Sequence, residues 1–289
     1  MTSAKNRHGK ISVKIEPAQL PHLSEGTFLI DSHCHLDMDA YQDDLDTLLQ
    51  QAYQNHIRTI ISVGIDEKSS RQAISLAAKY NMVKATIGVH PHDVAHILPQ
   101  TLDTLANLAE ENSKHIVGYG EIGLDYVKNY TAPDIQRTHF RSQLSLAKEL
   151  KLPVIVHDRE AHEDTLRILM EAAPYEYGGV MHCFSGNMTL AKQVLDLGFH
   201  ISIPGVVTFK NATDLQEVAK QTPLMSLLVE TDGPFLSPVP RRGKRNEPTF
   251  LLYTAQMIAD LRDIPINEVA RQTSANAMRL FRLPGTLTT

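Results

Sequence analysis

The chain of 289 residues has only two cysteines, too few for a disulfide framework at this length, and both lie among histidines, which suits a reducing cytoplasm. It has no apolar run of the length that a membrane-spanning helix needs. Its first stretch, "MTSAKNRHGKISVKIEPAQLPHLSEG", carries early basic residues with no apolar segment behind them. A secretory signal is therefore not expected, and residues 1–26 read as an appended extension. Nor is there a basic excess. A formal net charge of -5 and a pI near 6.3 disfavour indiscriminate binding of duplex DNA through a broad basic face, so any nucleic-acid contact has to be local. No linker, low-complexity tract or internal repeat interrupts the rest, and residues 27–289 are expected to form one domain.

What is present reads as alternating strands and helices. Eight short apolar, β-branched runs recur: "TFLID" (27–31), "RTIISV" (58–63), "KATIGV" (84–89), "HIVGYGEI" (115–122), "PVIVH" (153–157), "GVMHC" (179–183), "FHISI" (199–203) and "LLVET" (227–231). Between them, segments such as "DDLDTLLQQAYQ" and "MTLAKQVLDLG" place apolar residues three and four apart, the helical period. Eight strands with seven intervening helices, then a helix from about Thr249, predict an α/β fold of the (β/α)8 TIM-barrel type. The last amphipathic segment, "PINEVARQTSANAMRLFRL", is expected to pack on the outer ring.

In such a barrel the reactive groups gather at the C-terminal ends of the strands. Here the first strand runs into His33 and His35, the fourth carries Glu121, the fifth ends at His157, the sixth near His182 and the eighth at Asp232. One strand-end histidine is more often a hydrogen-bonded loop residue than a ligand; five strands delivering imidazole or carboxylate to one mouth are not so explained. Strand alternation puts His33 and His35 on one side and Cys34 on the other, and the same reasoning turns Cys183 away from His182. Four histidines and two carboxylates remain, a nitrogen and oxygen set suited to zinc, manganese or magnesium. Six ligands exceed the needs of one tetrahedral ion, whereas two divalent ions about 3.5–4 Å apart, sharing a carboxylate, use them all.

Neighbouring residues are assigned by the same logic. His90, more than His92, is expected to contact substrate rather than overfill the metal site. Asp125 is read as a loop cap before a substrate contact. Glu230, in strand phase with Asp232, either orients a ligand or forms a structural ion pair. The loop "GPFLSPVPRRGKRNEP" (233–248) brings Arg241, Arg242, Lys244 and Arg245 to the mouth, where they are expected to attract phosphate.

Together with "IDSHCHLD", "IGVHPHDV", "GEIGLDY", "PVIVHDREA", "HCFSGN", "TFKNA", "LLVETDGPFLSPVPRRGKRNEP" and "SANAMRLF", these residues closely resemble the TatD family of metal-dependent deoxyribonucleases, among the amidohydrolase-like barrels. The resemblance runs nearly end to end from Leu29, except that family members usually begin almost at the "DSHCH" strand. It implies hydrolysis of phosphodiester (ester) bonds, typically 3′–5′ exonuclease action on DNA, with single strands or 3′ ends as substrate and neither a membrane nor an obligate protein partner. It makes His33, His35, Glu121, His157, His182 and Asp232 the metal ligands, with Glu121 bridging. Asp232 is the expected proton acceptor for an attacking water, and His90 and Arg242 the expected phosphate contacts. The rival is a same-fold hydrolase of a small-molecule ester or C–N bond, which would not depend on the basic loop.

Overall fold

A computed structural model describes residues 19–128 and 130–284. Eight parallel strands form one sheet in sequential order: β1 (Leu29–Cys34), β2 (Ile57–Val63), β3 (Val83–Ile87), β4 (Ile116–Asp125), β5 (Val154–Arg159), β6 (Gly179–Met181), β7 (His200–Ile203) and β8 (Leu227–Val229). The helices between them are α1 (Leu45–Gln54), α2 (Glu67–Lys79), α3 (Thr101–Glu111), α4 (Pro133–Glu149), α5 (His162–Ala172), α6 (Met188–Asp196) and α7 (Thr213–Gln221). They are followed by α8 (Leu251–Arg262) and α9 (Ile266–Leu280). This is the (β/α)8 barrel that the alternation of periods predicts. Local signals agree with it: the Asp66 carboxylate accepts from Ser69 N while Ser69 Oγ accepts from Asp66 N, a capping box that starts α2.

The ring closes between β1 and the segment just past β8. Cys34 bridges Gly233 in parallel, Asp232 N donates to His33 O (2.9 Å), and His35 N donates to Gly233 O (2.8 Å). The same hydrogen bonds that seal the barrel therefore set two histidines beside one aspartate.

Two apolar clusters flank the strands. The larger lies between sheet and helices and contains Cys34, Ile60, Val83, Ile122, Val156 and Val229. In the smaller, Ile30, Ile61, Val63, Ile155, Val180 and Leu228 come together from five strands, which only the interior of a closed barrel allows. Ala277, Leu280, Phe281 and Leu283 join that interior cluster. The last helix packs on the outer ring through Val269 and Ala270, as expected, but its end also plugs the barrel floor, with Asn276 Nδ2 donating to Leu224 O and Leu227 O at the start of β8.

Of the expected N-terminal extension, residues 1–18 lie outside the described residues. In the remainder, Leu23 is fully buried in the outer core, and Ser24 exchanges hydrogen bonds with Asn267 of α9.

Candidate metal centre

Each strand end positions its side chain by backbone contacts. Glu121 lies on β4 between Gly120 and Gly123; its amide donates to Gly64 O (3.0 Å), and Thr86 Oγ1 donates to Gly120 O (2.6 Å). At Gly123 the backbone has φ +145°, and a Cβ would meet His157 O at 2.0 Å. Only glycine lets β4 approach β5 this closely and so brings Glu121 to His157. His182 follows β6, its amide donating to Val156 O (3.1 Å).

The structure brings all six predicted ligands together. Glu121 Oε2 lies 3.3 Å from His33 Nε2 and 3.8 Å from His35 Nε2, while Glu121 Oε1 lies 2.5 Å from His157 Nδ1 and 2.7 Å from His182 Nε2. Asp232 Oδ1 lies 3.5 Å from His35 Nε2 and 3.9 Å from His33 Nε2. Among the described residues, three sets have ligand atoms within 4.8 Å of one another: His33, His35 and Asp232; His33, Glu121 and His182; His90, Glu121 and His157. The Nε2 atoms of His33 and His35 face each other at 3.3 Å, and both face carboxylates. Buried nitrogen and oxygen lone pairs that converge in this way suit divalent cations, and none of these sets, among the described residues, includes a cysteine. Burial pushes the Glu121 carboxyl up, but His182, His90 and the His157 hydrogen bond outweigh it and hold it well below its ordinary value.

Two of the histidines have a carboxylate behind them. Asp125 Oδ2 lies 3.3 Å from His157 Nε2 and 2.8 Å from His92 Nε2, and its Oδ1 accepts from the amides of Val127 and Lys128 (2.9 Å each). Asp125 is thus the loop cap expected from sequence, and it also backs His157, which was not expected. It shares the strand phase of Glu121, the signal that could have revealed it. Burial raises its pKa, but hydrogen bonds from His157, Lys128 and His92 bring it well below the ordinary carboxylate range. Glu230 Oε1 lies 3.4 Å from His182 Nδ1 and accepts from Cys183 N (2.6 Å), placing it where it can orient a ligand. The nearly solvent-free Asp31 was also missed: it accepts the amide and hydroxyl of Thr231 (2.9 and 2.5 Å), tying β1 to the end of β8, and burial pushes its pKa up to about 7.

His90 Nδ1 accepts from His92 N (3.1 Å), so its neutral ring carries the proton on Nε2, which points at Glu121 Oε1 from 3.5 Å. Burial pushes its pKa down to about 4, which keeps the ring neutral. A protonated Nε2 donates rather than ligates.

Two expectations need correction. Cys34 does face the outer core, but β6 ends before Cys183, whose φ of +44° breaks the alternation; its thiol sits beside Asp232, and burial and that carboxylate push it up. Arg245 is not free for phosphate: it binds both Asp44 oxygens (2.8 and 2.7 Å) and Glu247 (3.1 Å). Arg242 is exposed and stacks over the Phe209 ring (4.4 Å), with no contact to the ligand cluster among the described residues.

Fold and site define a metal-dependent hydrolase on a (β/α)8 barrel. A family model described as TatD related DNase matches residues 30–282, and the chain belongs to that family. It is 40% identical over 255 residues to the uncharacterized metal-dependent hydrolase YabD of Bacillus subtilis, covering 88% of this chain and 99% of that one. It is 37% identical over 261 residues to the 3′-5′ ssDNA/RNA exonuclease TatD of Erwinia amylovora, covering 88% and 100%. The crystal structure of the TatD homolog YJJV from Escherichia coli superposes with a TM-score of 0.85 at 31% identity, covering 89% of this chain and 98% of that one. No helix among the described residues is long and apolar enough to cross a membrane.

Proposed function

We propose that the chain hydrolyses phosphodiester bonds in DNA as a 3′–5′ exonuclease, using two divalent ions held by His33, His35, Glu121, His157, His182 and Asp232. The observation that carries the two-ion reading is the position of Glu121, whose two oxygens face different histidine pairs. The name of the Erwinia relative supports the substrate, and the His90 N–H donor beside Glu121 supports a phosphate in the mouth.

When bound, the ions supply Lewis-acid charge at the phosphate and acidify water. The chain's own groups divide the remaining work. Asp232, whose side chain is 12% exposed against 3% for Glu121, reaches solvent and accepts the proton of the attacking water on a carboxylate oxygen. Glu121 stays ionised and bridges the histidine pairs. His90 donates Nε2–H to a phosphate oxygen, and Arg242 contributes positive charge from the loop rim. Both cysteines are free, which agrees with a cytoplasmic protein.

The test is release of nucleotides from 5′-labelled single-stranded DNA with magnesium, manganese or zinc in turn, against RNA and a panel of small esters and amides. Glu121→Ala and Asp232→Ala are expected to abolish turnover. Near wild-type activity in either variant, or hydrolysis of an amide in preference to every phosphodiester, refutes the proposal.

A further inference from the structure

Among the described residues, five exposed large apolar side chains lie in the loops after β4 and β8, the strands that deliver Glu121 and Asp232: Val127, Tyr130, Phe235, Leu236 and Val239. Two of them are aromatic. Phe235 is 48% exposed, and its ring meets that of the candidate ligand His35 edge-on, centroids 6.0 Å apart. Tyr130 is 67% exposed and meets the His92 ring edge-on at 4.9 Å.

The two rings stand at opposite ends of one chain of contacts across the mouth. From Phe235 it passes through His35, Glu121, His157, Asp125 and His92 to Tyr130. All six candidate ligands belong to that chain or contact one of its members, His33 and His182 through Glu121 and Asp232 through His35. Exposed apolar rings at the rim remain in water unless a ligand covers them.

We infer that Phe235 and Tyr130 are two base-stacking shelves, holding the nucleobases on either side of the scissile phosphate. The inference rests on the phosphodiesterase reading and deepens it. A phosphodiester seated at Glu121 has a nucleoside on each side, and aromatic rings accept any base because every base presents a π face. Paired bases are already stacked inside a duplex and cannot also lie on these rings, so the arrangement selects an unpaired strand end. Arg242 and Lys244, exposed in the same loop as Phe235, complement the strand's backbone charge.

The test uses the full-length, metal-loaded protein and two 5′-labelled single strands, one with ordinary bases and one with base-free sugars at its two 3′-terminal positions. The readout is the ratio of kcat/KM for the base-bearing strand to that for the base-free strand. Phe235→Ala and Tyr130→Ala are each expected to lower that ratio at least about fivefold, from the known worth of base–aromatic stacking. Phe235→Tyr and Tyr130→Phe are expected to preserve it, as is Met170→Ala, which removes a 58% exposed apolar side chain on α5. A strand ending in 2-aminopurine gives a readout independent of turnover, its fluorescence quenched on the wild type and less so on the alanine variants. If the wild type cleaves both strands equally, or the alanine variants keep the wild-type ratio and quenching, the shelves are refuted while the phosphodiesterase reading survives. If neither strand nor any other phosphodiester is cleaved, both fall.

Discussion

Replacing Asp125 by Asn separates the two halves of the proposed metal centre. The Asp125 side chain is 1% exposed; its Oδ2 faces the Nε2 atoms of His157 and His92, while its Oδ1 caps two loop amides. An asparagine keeps a carbonyl oxygen for the cap but loses the charge behind His157. A buried hydrogen bond to a charged group contributes about 1.5–3 kcal/mol, or roughly 10- to 150-fold in an equilibrium constant. Loss of a carboxylate behind a metal-bound histidine typically costs about 10–100-fold in metal affinity, so the two routes to the magnitude agree. The effect should be one-sided, because His33, His35 and Asp232 have no contact with Asp125 among the described residues. Manganese titration of the chelator-stripped protein by calorimetry should resolve a weak and a strong step, with only one weakened by Asp125→Asn and thermal stability nearly preserved. Equal weakening of both steps, or of neither, would refute the division of the site.

Two further variants test other parts of the chain. His162, at the start of α5, is 2.5 Å from Asp158 Oδ2, and this hydrogen bond raises the imidazole pKa above its ordinary value. The raised folded pKa means that the contribution is fully present below about pH 6.5 and is lost as pH rises through the folded value. His162→Gln should therefore destabilise at pH 5.5 and be nearly neutral at pH 8.5; the ring is partly exposed, so the difference should stay under ~1 kcal/mol in urea melts. A penalty that grows with pH would contradict this. Phe281→Ala, which empties the barrel floor, should cost about 3–5 kcal/mol of stability while leaving metal stoichiometry unchanged, as read by denaturant unfolding and metal analysis.

The barrel was legible because its strands are short β-branched runs and its helices keep a clear period. Alternation alone did not carry the fine detail. Ile30 points into the barrel, and Ser32 Oγ reaches Ser202 Oγ across it (2.9 Å), so strict alternation would turn His33 outward. A register shift between Asp31 and Cys34 restores His33 to the mouth, and no residue type in "IDSHCHLD" announces that shift. Arg245 was misjudged for a related reason: a basic residue in a loop carries no local mark of its partner, and Asp44 lies about two hundred residues earlier. The plug at Phe281 was hidden because a helix that covers a barrel floor has the same amphipathic period as one on its flank.

The backing carboxylates give the site its asymmetry. His157 has Asp125 behind it and the His182 Nδ1 lies 3.4 Å from the Glu230 carboxylate without a hydrogen bond to it, whereas among the described residues the Nδ1 atoms of His33 and His35 have neither a hydrogen-bond partner nor a carboxylate ion-pair partner. An ion beside His33 and His35 would have Asp232 as a ligand of its own, while its partner would draw negative charge through imidazole rings. Each position would thus combine a share of Glu121 with additional carboxylate charge, direct in one case and relayed in the other. A relayed carboxylate strengthens its histidine as a donor without occupying a coordination position. An ion at the half built from His157 and His182 would therefore leave more room for substrate oxygen, on the side where the His90 N–H faces Glu121. Converting Glu230 to Gln should consequently weaken the same titration step as Asp125→Asn; weakening of the other step would reverse the assignment of the two halves.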